Sequence, residues 1–405
     1  MDVEIRPIAP EEFEAYVKAV ERSFGVHPRP EEIELFRREL EPEFHLAAFE
    51  GSAIVATAAA VTFELSVPGG MLTMPGVTAV GVQPTHRRRG LLTMLMRRQL
   101  DDYREMGRPL AGLWASEGPI YQRFGYGMAT LAAGLEIERQ RASYFRPLEP
   151  NGRVTLIDKP EALEAFPAIY DRVLARQPGM LSRSQTRWEV VHADLEHWRN
   201  GFGALFFALH QDQAARPDGY ITYRVKTSWD DAANILRVRE LVSETFDAYA
   251  ELWRFGLDHD LMTKIEAWPR PPDEPLLHML AHPRALSLKF GDGLWLRLID
   301  VAASLAGRRY SAADTIVFEV RDSFCPWNEG RYELAGGPDG AQCATTHREP
   351  DLLVDIRDLG AAFLGGTRFG ALARAGRVRE ETPGSLARAD AMFEWDRAPW
   401  CPEVF

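Results

Sequence analysis

One stretch, Val77 to Met96, limits most what this chain can become: VTAVGVQPTHRRRGLLTMLM. It opens as a short apolar strand, turns at Gln83-Pro84, and passes three arginines and a glycine. A helical pattern follows, with Leu92, Leu95, Met96, Gln99 and Tyr103 near one face at 3.6-residue spacing. The first backbone N–H groups of a helix have no partner inside it and lie at the positive end of its dipole. A helix that starts at Arg87-Arg88-Arg89-Gly90 therefore suits a phosphate group. Gly90 would allow close approach to the backbone, and the arginines would add charge-assisted bonds. Neither a GxxxxGK[ST] loop nor a GxGxxG turn is present. On the pattern alone, a phosphate cradle and a solvated basic helix start are equally good readings.

Strands and helices alternate in the same way along all 405 residues. VEIRPI reads as a strand, EEFEAYVKAVERSF and PEEIELFRREL as helices, and 45–50 and 53–66 as strands. LAGLWAS reads as a strand and GPIYQRF as a short helix, and the strand set MATLAAGLEIERQ closes the segment near residue 140. Residues 141–160 carry Arg-Pro, Glu-Pro-Asn-Gly and Lys-Pro, which read as a linker, and Pro269, Pro271, Pro272 and Pro275 mark a loop. Three segments follow from these breaks, 1–145, 146–285 and 286–405. The expected class is α+β, or mixed αβ.

Composition narrows the function. The net charge of −12 argues against nucleic acid as a partner. No apolar run nears the roughly 20 residues of a membrane span, and the acidic, proline-broken N-terminus lacks the features of a signal peptide. The expectation is a cytoplasmic protein that meets no membrane. Cys325, Cys343 and Cys401 are too few and too widely spaced for a disulfide framework, and the histidines show no ligand spacing, so no metal is expected.

HRRRGLL followed by SEGPIYQRFGYG resembles the GCN5-related N-acetyltransferases (GNAT). With a chain of about 400 residues that ends in phenylalanine, the match is closer to their enhanced intracellular survival (Eis) family. The resemblance implies an active GNAT domain at 1–145, a degenerate GNAT-like domain at 146–285, and a sterol-carrier-protein-like α+β domain at 286–405. It implies acetyl-CoA as co-substrate, a homohexamer, and a small-molecule amine as acceptor, namely the amines of aminoglycosides and related polyamines at several positions. Two alternatives stand beside this reading. One is a protein-lysine or N-terminal acetyltransferase; the other is a non-catalytic lipid or ligand carrier acting through the C-terminal domain.

The residue roles also come from the resemblance. Tyr121, four residues before Gly125, matches the tyrosine that protonates the departing thiolate, and Tyr126 is the packing neighbour. The carboxylate of Phe405 is the implied base, with Glu403 as the alternative. Val80, Gly81 and Val82 on the strand and Arg88, Arg89, Gly90, Leu91, Leu92 and Thr93 at the helix start are the expected acetyl-CoA contacts, joined by Ser116 and Glu117. Leu92 replaces a small residue of the family loop. Gly81 is the expected site of a strand-splaying bulge. Phe24 and Phe36 are the expected substrate wall, and the reading as core aromatics is equally open. Trp114 replaces a polar histidine of the better-known members, which leaves the amine range open here. The central segment has no Arg-x-x-Gly before a helix and is expected to be structural.

Overall fold

A computed structural model describes residues 3–39, 41–227 and 234–405. The chain forms two compact units. One holds the chain up to Thr130, Gly293–Asp396 and Val404–Phe405; the other holds Leu131–Asp292 and Arg397–Glu403.

The first unit contains a seven-stranded mixed sheet in the order Glu4–Pro7, Leu46–Glu50, Ala53–Val67, Gly70–Val82, Leu110–Trp114, Leu294–Leu298, Gly127–Met128. Its strands face helices on both sides, as the period of two requires. Along Leu46–Glu50, Ala47 and Phe49 pack with Phe13, Tyr16 and Val17 of helix Phe13–Phe24. Leu46 and Ala48 pack instead with Leu91 and Leu95 of helix Leu91–Glu105. The alanine-rich strand Ala53–Val67 is buried along nearly all its length, and its small side chains let both helices approach. Helix Leu91–Glu105 buries Leu91, Leu95, Met96, Gln99, Leu100 and Tyr103, with Leu92 at the edge of the buried face. A five-stranded sheet in the order Gly340–Thr345, Gly330–Gly337, Asp314–Arg321, Leu352–Asp355, Val378–Glu380 belongs to the same unit. Helix Ile356–Ala362 joins the two sheets by packing on Gly127–Met128 and Leu294–Leu298. Gly127 makes that approach possible, because a Cβ there would meet the Arg357 carbonyl oxygen.

The second unit contains another seven-stranded sheet in the order Ser287–Asp292, Leu131–Glu138, Lys264–Arg270, Ile235–Ser243, Pro217–Lys226, Phe206–Asp212, Gly152–Ile157. Helix Lys159–Leu174 covers it with Phe166, Ile169, Tyr170 and Val173, and helix Phe246–Leu257 with Tyr249, Leu252 and Trp253.

Several expectations change at this level. Leu131–Glu138, read as closing the first segment, pairs with Lys264–Arg270 and Ser287–Asp292 in the second sheet. Leu294–Leu298, read as opening the last segment, completes the first sheet instead. The linker reading of 141–160 missed edge strand Gly152–Ile157, and the proline loop hid strand Lys264–Arg270. Pro269 is tolerated there because the ladder shifts between Ala267 and Arg270, which leaves Trp268 and Pro269 outside the pairing. Among the described residues, no helix is long and apolar enough to cross a membrane.

Candidate active site

The site starts from a gap in the first sheet. Strands Gly70–Val82 and Leu110–Trp114 run parallel but pair only at Gly76 with Gly112 and Val77 with Leu113. Beyond Val77 the first strand keeps its antiparallel partner as far as Val82 and leaves the other. One backbone edge of Thr78–Val82 therefore faces a cleft. A bulge sits on this stretch: between the pairs Thr57–Gly81 and Ala59–Thr78, Ala79 and Val80 together oppose Ala58. Ala79 has φ 50°, and its carbonyl accepts from the Thr57 hydroxyl at 2.8 Å. A bulge of this kind bends the strand and raises its twist.

The bulge is therefore at Ala79–Val80 and not at Gly81. Gly81 has a different reason to be glycine. A Cβ there would stand 2.6 Å from Ser23 Cβ and 3.2 Å from the Phe24 ring, so its absence admits the end of helix Phe13–Phe24. Phe24 is 48% exposed beside Gly81, so it is not a core aromatic. Phe36 is also exposed, on helix Pro30–Arg38, and among the described residues no ring pairing ties it to the cleft.

The arginine loop closes the other end. Gly90 is the N-cap of helix Leu91–Glu105, with φ 83° and no capping side chain. The N–H groups of Leu91, Leu92 and Thr93 thus begin the helix without a side-chain cap. A Cβ on Gly90 would meet nothing within 4 Å, so the left-handed backbone, not crowding within the chain, selects glycine here. Arg88, at φ 61°, and Arg89 are exposed. Arg87 is exposed as well, and it donates to the carbonyls of Ser23 at 3.2 Å and Val82 at 3.5 Å. Leu91 and Leu92 point their side chains into apolar clusters, which leaves their backbone N–H groups for a ligand. An unpaired strand edge, a bulge and an uncapped helix start flanked by two exposed arginines together fit the pantetheine arm and pyrophosphate of acetyl-CoA.

Tyr121 lies on helix Gly118–Gln122, just after Ser116 and the N-cap Glu117. It is only 6% exposed; burial pushes its phenol up, and a hydrogen bond from Ser116 partly offsets this. Ser116, expected as a cofactor contact, is thus also a partner of Tyr121. Tyr126 is wholly buried and meets Tyr121 edge to face at 6.1 Å. The Phe405 ring packs on Phe63 at 5.0 Å. A Cβ on Gly76 would be 2.8 Å from that ring, so Gly76 supplies its seat, one residue before the last pair of the parting strands. Thr57, Ser23 and the bond from Arg87 to the Ser23 carbonyl were not foreseen. Thr57 left a trace, as a lone hydroxyl within the apolar run AIVATAAAV.

Glu403 cannot serve as the base. Within the second unit its carboxylate is buried against Arg183 Nε at 2.6 Å and Arg187 Nε at 2.5 Å. These guanidinium groups hold it below the usual carboxylate range. In the second sheet the helix that follows strand Ile235–Ser243, Phe246–Leu257, is capped by Thr245, whose hydroxyl accepts from Ala248 N at 3.1 Å. Arg270 donates to the Leu241 carbonyl at 2.9 Å, beyond the parallel pairing of Ile235–Val238 with Lys264–Ala267. Thr245 and Arg270 thus each take up one backbone group of the kind that the first sheet leaves open. Among the described residues, no group of three or more His, Cys, Asp or Glu side chains is arranged to hold a metal.

GNAT acetyltransferase domain families match residues 4–129 and 179–298, and a sterol carrier protein domain family matches 301–402. An uncharacterized N-acetyltransferase of Streptomyces avermitilis is 39% identical over the whole of both chains. N-acetyltransferase Eis of Mycobacterium tuberculosis is 36% identical, over 85% of this chain and 84% of that one. The crystal structure of Eis1 from Mycobacterium abscessus superposes with a TM-score of 0.88 at 34% identity, covering 99% of this chain and all of that one.

Proposed function

This chain belongs to the Eis family of GCN5-related N-acetyltransferases and is an acyltransferase, and from that premise we propose that it acetylates the amines of aminoglycosides and related polyamines, at more than one position, with acetyl-CoA as donor. When bound, acetyl-CoA supplies an acetyl group whose C–S bond breaks as the amine C–N bond forms. The residues of the chain do the rest. The N–H groups of Leu91, Leu92 and Thr93, with Arg88 and Arg89, hold the pyrophosphate. The free edge of Thr78–Val82 aligns the arm and faces its N–H groups to the carbonyl oxygen. Tyr121 keeps its proton at neutral pH, because burial disfavours the phenolate, and gives it to the leaving sulfur. The Phe405 carboxylate takes the proton from the attacking nitrogen.

The observation that supports the role given to Phe405 is the seat of its ring on Gly76, beside the point where the strands part; the cradle at Gly90 with the family membership carries the rest. Phe405 and Tyr121 lie in the same unit. The net charge of −12 favours encounter with polycations. We read the working form as a cytoplasmic homohexamer, which the mass in solution will test.

The test is thiol release from acetyl-CoA with a panel of aminoglycosides, polyamines and lysine-bearing peptides. Release with aminoglycosides, at more than one acetyl per molecule, is expected. Release with peptides alone replaces this reading with protein acetylation. No acetyl-CoA binding at all leaves the carrier reading. Tyr121→Phe is expected to lower turnover roughly 100-fold or more with acetyl-CoA affinity unchanged; full turnover removes Tyr121 from the mechanism.

A further inference from the structure

The turn behind Tyr121 is closed by a distant part of the chain. Strand Leu294–Leu298 pairs Arg297 with Ala111 on one side and Leu296 with Gly127 on the other. That register brings Arg297 beside Gly125 and Tyr126. Its side chain is fully buried, and Nη2 donates to Asp322 Oδ2 at 2.6 Å. Asp322 is equally buried and is fixed in turn by the Cys325 N–H at 2.9 Å and the Asn328 amide at 3.0 Å.

The guanidinium occupies the space that a side chain at 125 would need. Gly125 has φ 83°, and a Cβ there would lie 2.3 Å from Arg297 Nη1 and 2.7 Å from its Cζ. Gly125 belongs to the turn that ends helix Gly118–Gln122: the Tyr121 carbonyl accepts from Phe124 N at 3.0 Å and Tyr126 N at 3.3 Å. A five-residue helix cannot hold its own shape, since nucleation outweighs its few hydrogen bonds. What it rests on therefore decides where its side chains point. A buried ion pair is a poor stabiliser compared with apolar packing. Its use here is geometric: a planar cation, clamped by one carboxylate, backs the turn from beneath.

We propose that Arg297 is a positioning residue for acetyl transfer: clamped by Asp322, it backs the Gly125 turn and so fixes the Tyr121 hydroxyl at the cleft. The segment after Gly293 thereby completes the active site of the N-terminal domain. The proposal rests on the reading of Tyr121 as the acid.

The test compares the full chain with Arg297→Lys, Tyr121→Phe and the double variant. Lysine keeps the charge for Asp322 but lacks the planar fork against Gly125. R297K is expected to lower kcat roughly 10- to 100-fold, the scale set by a misplacement of about 1 Å, with the KM for acetyl-CoA within about twofold. In the Tyr121→Phe background the same change is expected to cost less than about twofold, because there is no acid left to place. Equal losses in both backgrounds overturn the proposal, since they mark a general structural role. An unchanged kcat in R297K also overturns it. Full turnover in Tyr121→Phe removes the acid and the proposal together, whereas equal losses remove the proposal alone. Should R297K fail to fold, Asp322→Asn keeps the shape while weakening the clamp, and the same comparison with Tyr121→Phe decides.

Discussion

Replacing Glu403 with glutamine tests how the end of the chain is held. Arg183 and Glu403 are each 1% exposed, and Arg183 also pairs with Glu240 at 2.6 Å. Arg183 lies over the rings of Tyr170 at 4.2 Å and Trp188 at 4.7 Å. Glu240 accepts a further bond from Tyr220 at 2.8 Å. Two arginines thus face two carboxylates with little water. Glutamine fits the space but removes the carboxylate charge that Arg183 and Arg187 share. Breaking a buried pair in this way costs about 3–5 kcal/mol. At roughly 2–4 °C per kcal/mol for a unit of this size, the melting temperature should fall by about 6–20 °C.

The pH dependence has a definite sign. The pKa of Glu403 is depressed from its ordinary value of 4.5, so its stabilisation is fully present above that value. It fades as pH falls through the lower folded-state pKa. In calorimetric melts, the gap between parent and Glu403→Gln should stay constant from pH 8 to about 5 and narrow below about 4.5. A shift under about 2 °C at pH 7, or a gap that widens in acid, would refute the reasoning.

The remaining predictions concern the cleft. Gly90→Ala forces a side chain into the left-handed region, which costs about 1–2 kcal/mol. The Kd for acetyl-CoA should rise roughly 5- to 30-fold by titration calorimetry; an unchanged Kd would exclude the loop from binding. Extending the chain by a few residues beyond Phe405 displaces the terminal carboxylate, so turnover should collapse while acetyl-CoA still binds. An equally active extended enzyme of unchanged oligomer size would eliminate the terminal base.

Local features of the candidate site are legible in the amino-acid sequence. The strand, arginine loop and helix of 77–105 follow from side-chain periodicity and from glycine at the helix start, both set by near neighbours. The short helix bearing Tyr121 is legible for the same reason. Other local inferences fail where pairing intervenes. Proline at 269 argues for a loop, yet a ladder shift lets it sit within a strand. Gly81 invites the bulge, but the register places it on Ala79 and Val80, which look like ordinary strand residues.

By itself the sequence determined the alternation of elements, the helix faces, the loop that suits a phosphate and the family resemblance, because each depends on residues within a few turns of one another. Only the tertiary structure decided that Leu294–Leu298 inserts beside Leu110–Trp114 and that Leu131–Glu138 leaves for the second sheet. It alone decided that Arg87 bonds the Ser23 carbonyl, that Arg297 underlies Gly125, and that Glu403 is consumed by arginines more than 200 residues away in sequence. A strand's edge or a buried charge is satisfied by whichever partner the whole fold brings near. No local pattern encodes that partner, since the energy of the contact belongs to both segments at once.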